Sequence, residues 1–168
     1  MLRHIRHFII RHEPEAIDLA VSLKAGVGGL LGIGSAGGLA AATGMPFLLA
    51  PFGASAVLLF AQPQSPLAQP ANTIGGYCVG LAAGLAVALV FPPVWWAAAI
   101  GVGAAIALMS LLRLTHPPAG AVPIVAVTTA MPPTTLVEAV LAGGVLLVAV
   151  AAIHHRIPPR QIYPKRAN

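Results

Sequence analysis

Charge is scarce in this sequence: 8% of its 168 residues are Asp, Glu, Lys or Arg, and only 4 of them are acids. A soluble domain carries about a quarter charged residues, so the shortage excludes an ordinary water-soluble fold. Aromatic residues are also few, at 5%, and there is 1 cysteine. A lone Cys78 excludes an intramolecular disulfide and any cysteine-based zinc or iron–sulfur centre. Set in an apolar run, it is expected to be a small buried packing residue. Paired carboxylates, a Ser/His/Asp set, a phosphate-binding lysine and Cys-x-x-Cys are all missing, so no enzyme activity is expected. No acid or second histidine lies near His116 in sequence, and neither a metal nor a cofactor is expected.

What the chain has instead is apolar residues, 58% of the total, with 18 Gly and 16 Pro. A mean hydropathy of +0.89 in so short a chain points to an all-α polytopic membrane protein whose chief partner is the lipid bilayer. Four runs approach the roughly 20 residues that cross about 30 Å of hydrocarbon: Ala20–Thr43, Thr73–Phe91, Val94–Leu112 and Thr135–Ile153. Residues 1–19 read as a cytoplasmic N-terminal segment, 20–155 as the membrane domain and 156–168 as a basic cytoplasmic tail. The first stretch mixes basic and apolar residues and allows a short interfacial helix ended at Glu13-Pro14-Glu15.

The net charge of +5 does not indicate nucleic acid, because the cations cluster at the two ends without interleaved aromatics. Positive residues stay in the cytoplasm, which places both termini there and requires an even number of crossings. Lys24 reads as an anchor reaching for the interface.

Two short apolar segments separate the long ones, and both are broken by Pro and Gly. Pro51-Phe52-Gly53-Ala54 and Pro118-Ala119-Gly120-Ala121 share Pro-x-Gly-Ala at an offset of 67 residues, which also superimposes Gly34 on Gly101 and Gly76 on Gly143. The pattern is an internal repeat of long helix, broken helix, long helix. Interrupted segments in corresponding places of two halves point to a transporter's binding site. If the broken segments re-enter there are four crossings; if they traverse there are six, and the halves are inverted.

Proline suits a first helical turn, and the free N–H groups after it carry the positive end of the helix dipole. Gly53, Ala54 and Ser55 in one half, with Gly120, Ala121 and Val122 in the other, are therefore candidate anion ligands. Pro51, Pro117 and Pro118 would shape the breaks. Arg113 is either a cytoplasmic anchor or a vestibule residue that concentrates anions; His116 either handles a proton or substrate, or ties a loose carbonyl. Gln69 and Asn72, in an uncharged proline-stiffened loop, are candidates for a pathway mouth. The Gly-xxx-Gly spacings at 28/32, 34/38 and 76/80/84 predict close helix contacts within or between subunits.

"PFGASAVLLFAQPQSPLAQPANTIGG" (51–76) and "LTHPPAGA" (114–121) closely resemble the HPP family of integral membrane proteins. Its His-Pro-Pro stands here as His116-Pro117-Pro118, and the likeness runs from about Leu23 to Ile153. The resemblance implies passage of a small inorganic anion, nitrite above others, since cyanobacterial and chloroplast members are implicated in nitrite transport. It also implies a stand-alone bacterial inner-membrane form. Tyr77 departs from the family pattern, where a polar residue, often His, follows the Gly-Gly pair. So few helices scarcely enclose a pathway, so a homo-oligomer is expected. The rival readings are a non-transporting membrane scaffold or sensor, and a channel for a cation or neutral solute.

Overall fold

The structure, a computed structural model, describes residues 18–165; the expected N-terminal interfacial helix lies outside them. Six α-helices follow one another: α1 (Leu19–Thr43), α2 (Ala50–Ala56), α3 (Pro70–Val90), α4 (Trp95–Leu111), α5 (Val122–Thr128) and α6 (Pro133–His154). A π-turn, Val57–Ala61, extends α2, and a 3-10 turn, Pro117–Ala121, leads into α5. With these extensions the broken helices run over Ala50–Ala61 and Pro117–Thr128, matching residue for residue at the offset read from the sequence.

Three helices, α1, α3 and α6, are long and apolar enough to cross a membrane. The fourth expected long span is shorter than the sequence implied. α4 has 17 residues and reaches about 25 Å at 1.5 Å per residue. Pro92 and Pro93 deny it an earlier start, and the chain turns away at Leu112–Arg113.

Local chemistry sets the helix ends. The Asp18 carboxylate accepts hydrogen bonds from the N–H groups of Ala20 and Val21 and caps α1. Gly44 ends it in the left-handed conformation, φ 71°, which glycine adopts without a Cβ penalty. Proline occupies the first turn of α2, α3, α5 and α6, where its missing N–H costs nothing.

The six helical segments run alternately between two ends of the bundle. At one end, which collects the described basic residues and is called the basic end below, the start of α1, the loop after the π-turn, the start of α3, the turn after α4 and the C-terminal tail meet. Lys24 Nζ donates to the carbonyls of Ile157 and Pro159, so it clasps the chain beyond α6 rather than reaching for the interface. Tyr163 Oη donates to Ala68 O at 3.1 Å, and Asn72 Nδ2 to Thr115 O at 3.1 Å. At the opposite end Val87, Ala97, Ala98 and Val127 pack together, as do Ala36, Phe47 and Ala139. Each half therefore traverses the bundle three times, and the second enters where the first leaves: the repeat is inverted.

Its packing is reciprocal. Phe52 of the first half seats against Gly143 of the second, and Ala119, the counterpart of Phe52, seats near Gly76, the counterpart of Gly143. The glycine ladder of α3 lets backbones approach: a Cβ on Gly80 would stand 2.5 Å from Ala119 O, and one on Gly84 2.7 Å from Pro123 Cα. Gly28 and Gly32 likewise face the Phe60 ring, whereas a Cβ on Gly34 or Gly38 would meet nothing within 4 Å. The spacing rule thus picks out two real contact faces and one that points away from the bundle. Cys78 is also exposed rather than buried.

Candidate functional site

The chain enters each broken helix through an extended approach, Gly44–Leu49 from one end and Leu114–His116 from the other. Both helices therefore begin inside the bundle, and both beginnings face one cleft of about 550 Å³. Ala50, Pro51 and Ala54 line one wall, Pro117, Pro118 and Ala121 the other, with Val57 and Leu58 completing the first. The two walls are the same three repeat positions, so the pseudo-two-fold passes through the cleft. Its surface is almost wholly carbon.

The predicted ligands divide around this cleft. Ala54 and Ala121 lie on it, together with Pro51, Pro117 and Pro118. Gly53 and Gly120 line separate flanking grooves, Gly53 beside Gly26 and Gly29 of α1, Gly120 beside Val102 and Ile106 of α4. Ser55 and Val122 are buried behind the walls, 0% and 1% exposed.

Behind the walls runs a sealed polar chain. His116 Nδ1 lies 2.8 Å from Leu67 O, which can only accept, so Nδ1 carries the proton and Nε2 is an acceptor. Ser55 Oγ donates to that Nε2 at 2.7 Å and accepts from Tyr77 Oη at 2.6 Å. Ser55, Tyr77 and His116 are each 0% exposed. The Ser55 hydroxyl is thus committed inside the protein, and His116 ties a carbonyl of the loop before α3. Tyr77, which sequence reasoning registered only as a departure from the family pattern, is the third member. Its ring also stands edge-on to Phe52, centroids 5.7 Å apart, and to His116 at 5.3 Å.

The Gln69 and Asn72 side-chain amides, both half-buried, are bonded to backbone. Gln69 Nε2 donates to Pro63 O and Ser65 O, both at 2.9 Å, while its Oε1 accepts from the Lys165 N–H at 2.8 Å. Asn72 secures the approach to the second break through Thr115. Both order backbone that has no regular partner.

Arg113 is exposed at the basic end, where it turns the chain with φ 57°. A left-handed arginine carries strain that glycine would not. Arg113→Gly is expected to stabilise the fold by about 0.5–1 kcal/mol, read as a higher melting midpoint. If its charge concentrates anions, the same variant slows anion uptake at low ionic strength, and added salt narrows the difference.

An inverted repeat with half-helices meeting at a central cleft defines the class: a polytopic helical membrane protein. The sequence matches the transmembrane region of the HPP family over residues 14–164, and the chain belongs to that family. It is 43% identical to a transmembrane protein of Dictyostelium discoideum over 88 residues, 50% of this chain and 28% of that one. A second transmembrane protein of the same organism is 31% identical over 128 residues, 71% of this chain and 45% of the relative. The chain thus spans less than half the length of these relatives. No solved structure matches it.

Proposed function

We propose that the protein passes a small inorganic anion across the membrane, with nitrite the first candidate, and that the basic end faces the bacterial cytoplasm. The observation that carries this reading is the convergence of two repeat-related helix beginnings on one cleft. Each contributes the positive end of a helix dipole where a bare charge would otherwise be costly. Arg113, Lys24, Arg156 and Arg160 gather at one end, as the positive-inside rule requires of a cytoplasmic face. The cleft is open along its side, so assembly with a second copy supplies the missing wall. His116 and Ser55 act here by holding the two breaks together, not by touching the ion.

The carbon surface of Pro51, Ala54, Pro117, Pro118 and Ala121 favours a weakly hydrated or neutral permeant as the second reading. Proteoliposome flux separates them. Nitrite, nitrate, chloride and formate are compared across a pH series, with Ala54→Phe and Ala121→Phe filling the cleft. The anion reading expects voltage-dependent nitrite flux that falls at least tenfold in either variant while Gly120→Val, in a flanking groove, retains more. Flux that ignores voltage and grows with acidity favours the neutral acid. No flux of any solute from well-folded protein leaves a scaffold or sensor.

A further inference from the structure

Beyond α6 the chain folds back beside a second, open pocket of about 480 Å³, lined by His155, Arg156, Arg160, Gln161 and Ile162. Gln161 N donates to His155 O at 3.1 Å and closes the loop around it. His155 is 1% exposed. Its Nε2 lies 2.8 Å from Leu59 O, so Nε2 holds the proton and Nδ1 is left as an acceptor. No donor reaches Nδ1: the Gln161 amide approaches the ring, but the nitrogen has no hydrogen-bond partner. A buried acceptor without a partner is costly.

Every charged group around that ring among the described residues is positive. Lys24 of α1 faces it, and Arg156 and Arg160 line the same pocket. Arg160 spends its Nε on Arg156 O, 3.1 Å away, which leaves its terminal nitrogens to point elsewhere. The other titratable neighbours are His154 and Tyr163, with ring centroids 5.5 and 5.4 Å from that of His155. Such surroundings repel a metal cation from the free Nδ1. Burial holds the His155 imidazole below its ordinary pKa against the opposing Leu59 hydrogen bond, with smaller contributions from the Lys24 charge, which lowers it further, and from the nearby Gln161 side chain, which raises it. The ring is therefore neutral at pH 7 when the pocket is empty.

We propose that this pocket binds an oxyanion of the phosphate or sulfate type together with one proton. The proton enters at His155 Nδ1, which turns from an unmatched acceptor into a donor toward the anion. Arg156 and Arg160 supply the remaining charge-assisted hydrogen bonds. The anion's oxygens come either from a lipid headgroup at the cytoplasmic surface or from an ion in solution. The site is separate from the central cleft and does not depend on the transport reading.

Linkage fixes the sign of the pH dependence. Binding takes up a proton wherever free His155 is neutral, so affinity falls as pH rises, approaching tenfold per unit above about pH 6.5. Calorimetric titration of the full chain in a nonionic detergent tests this with sulfate, whose charge is constant over the range. Wild type is expected to bind saturably with that slope. Arg160→Gln, an exposed change that leaves folding intact, should weaken binding about tenfold at every pH. His155→Gln should flatten the slope. Repeating the titration in phosphatidylglycerol and in phosphatidylcholine nanodiscs identifies the natural source. Loss of sulfate binding in the anionic lipid alone marks a headgroup site, and equal binding in both marks a soluble ion. The proposal is overturned by absent or pH-independent binding to wild type, by an Arg160→Gln variant that binds like wild type, or by a folded His155→Gln variant that keeps the slope.

Discussion

Gly80→Val should abolish the folded protein. A Cβ at this position would lie 2.5 Å from the carbonyl oxygen of Ala119 and 3.3 Å from Val122 Cβ. The obstacle is backbone in the 3-10 turn, so no side-chain rotation relieves it. Overpacking of this kind costs about 1–3 kcal/mol where neighbours can shift, and more where they cannot. Moving the turn would also shift Pro118 and Ala121 on the cleft wall and His116 behind it. The expected result is a chain that fails to yield a single symmetric species in size-exclusion chromatography. The matched control is Gly103→Val on α4, whose Cβ would meet nothing within 4 Å; it should elute and melt like wild type.

His116→Ala has the second largest expected effect. It removes the ring between Leu67 O and Ser55 Oγ, at 2.8 and 2.7 Å, and leaves the fully buried Ser55 hydroxyl and the half-buried Leu67 carbonyl without that partner. One orphaned buried group costs about 1–3 kcal/mol, and the lost ring adds a cavity. A total near 4 kcal/mol lowers the melting midpoint by roughly 10 °C in a chain of this size. Ser55→Ala should cost less because it opens a far smaller cavity and keeps the His116 bond to Leu67, although Tyr77 Oη and His116 Nε2 each lose a partner. Flux counted per folded molecule distinguishes roles. A bracing role predicts that surviving His116→Ala protein still moves its solute, whereas direct proton exchange predicts none.

Much of the architecture was legible because lipid constrains sequence so strongly. Apolar length located α1, α3 and α6 to within about three residues, and Pro-x-Gly-Ala at a fixed offset located both broken helices and their relation. Orientation about each helix axis was not legible. In water, an alternation of apolar and polar residues marks the buried face, but a helix bathed in lipid is apolar all round. That is why Cys78 read as core and is exposed, and why Gly34 and Gly38 looked like a contact face and touch nothing.

The candidate site was legible in part for a different reason. The breaks carry an unmistakable local signal, and Pro51, Ala54, Pro118 and Ala121 do meet in space. Polar residues in an apolar chain invite a substrate role, yet Ser55, Gln69, Asn72 and His116 spend their hydrogen bonds on the protein itself. Backbone freed by a break must be satisfied, and nearby polar side chains are the cheapest means. Tyr77 could have been linked to Ser55 and His116 only by knowing that α3 packs against the breaks where they meet.

The distribution of those ties has a mechanical consequence. Among the described residues, the side-chain hydrogen bonds that join different segments all lie between the cleft and the basic end: Lys24 to the tail and to the His154 ring through its carbonyl, His155 to Leu59, Gln64 to Ile162, Gln69 to Lys165, Asn72 to Thr115, Tyr163 to Ala68 and the His116 chain. Among the described residues the far end is joined by apolar contacts, Val, Ala, Phe, Leu and Met packed together. Directional bonds break all at once when surfaces slide, while greasy contacts re-form in a new register at little cost. The molecule is pinned at one rim and lubricated at the other, so large excursions pivot about the pinned rim and open the lubricated one first.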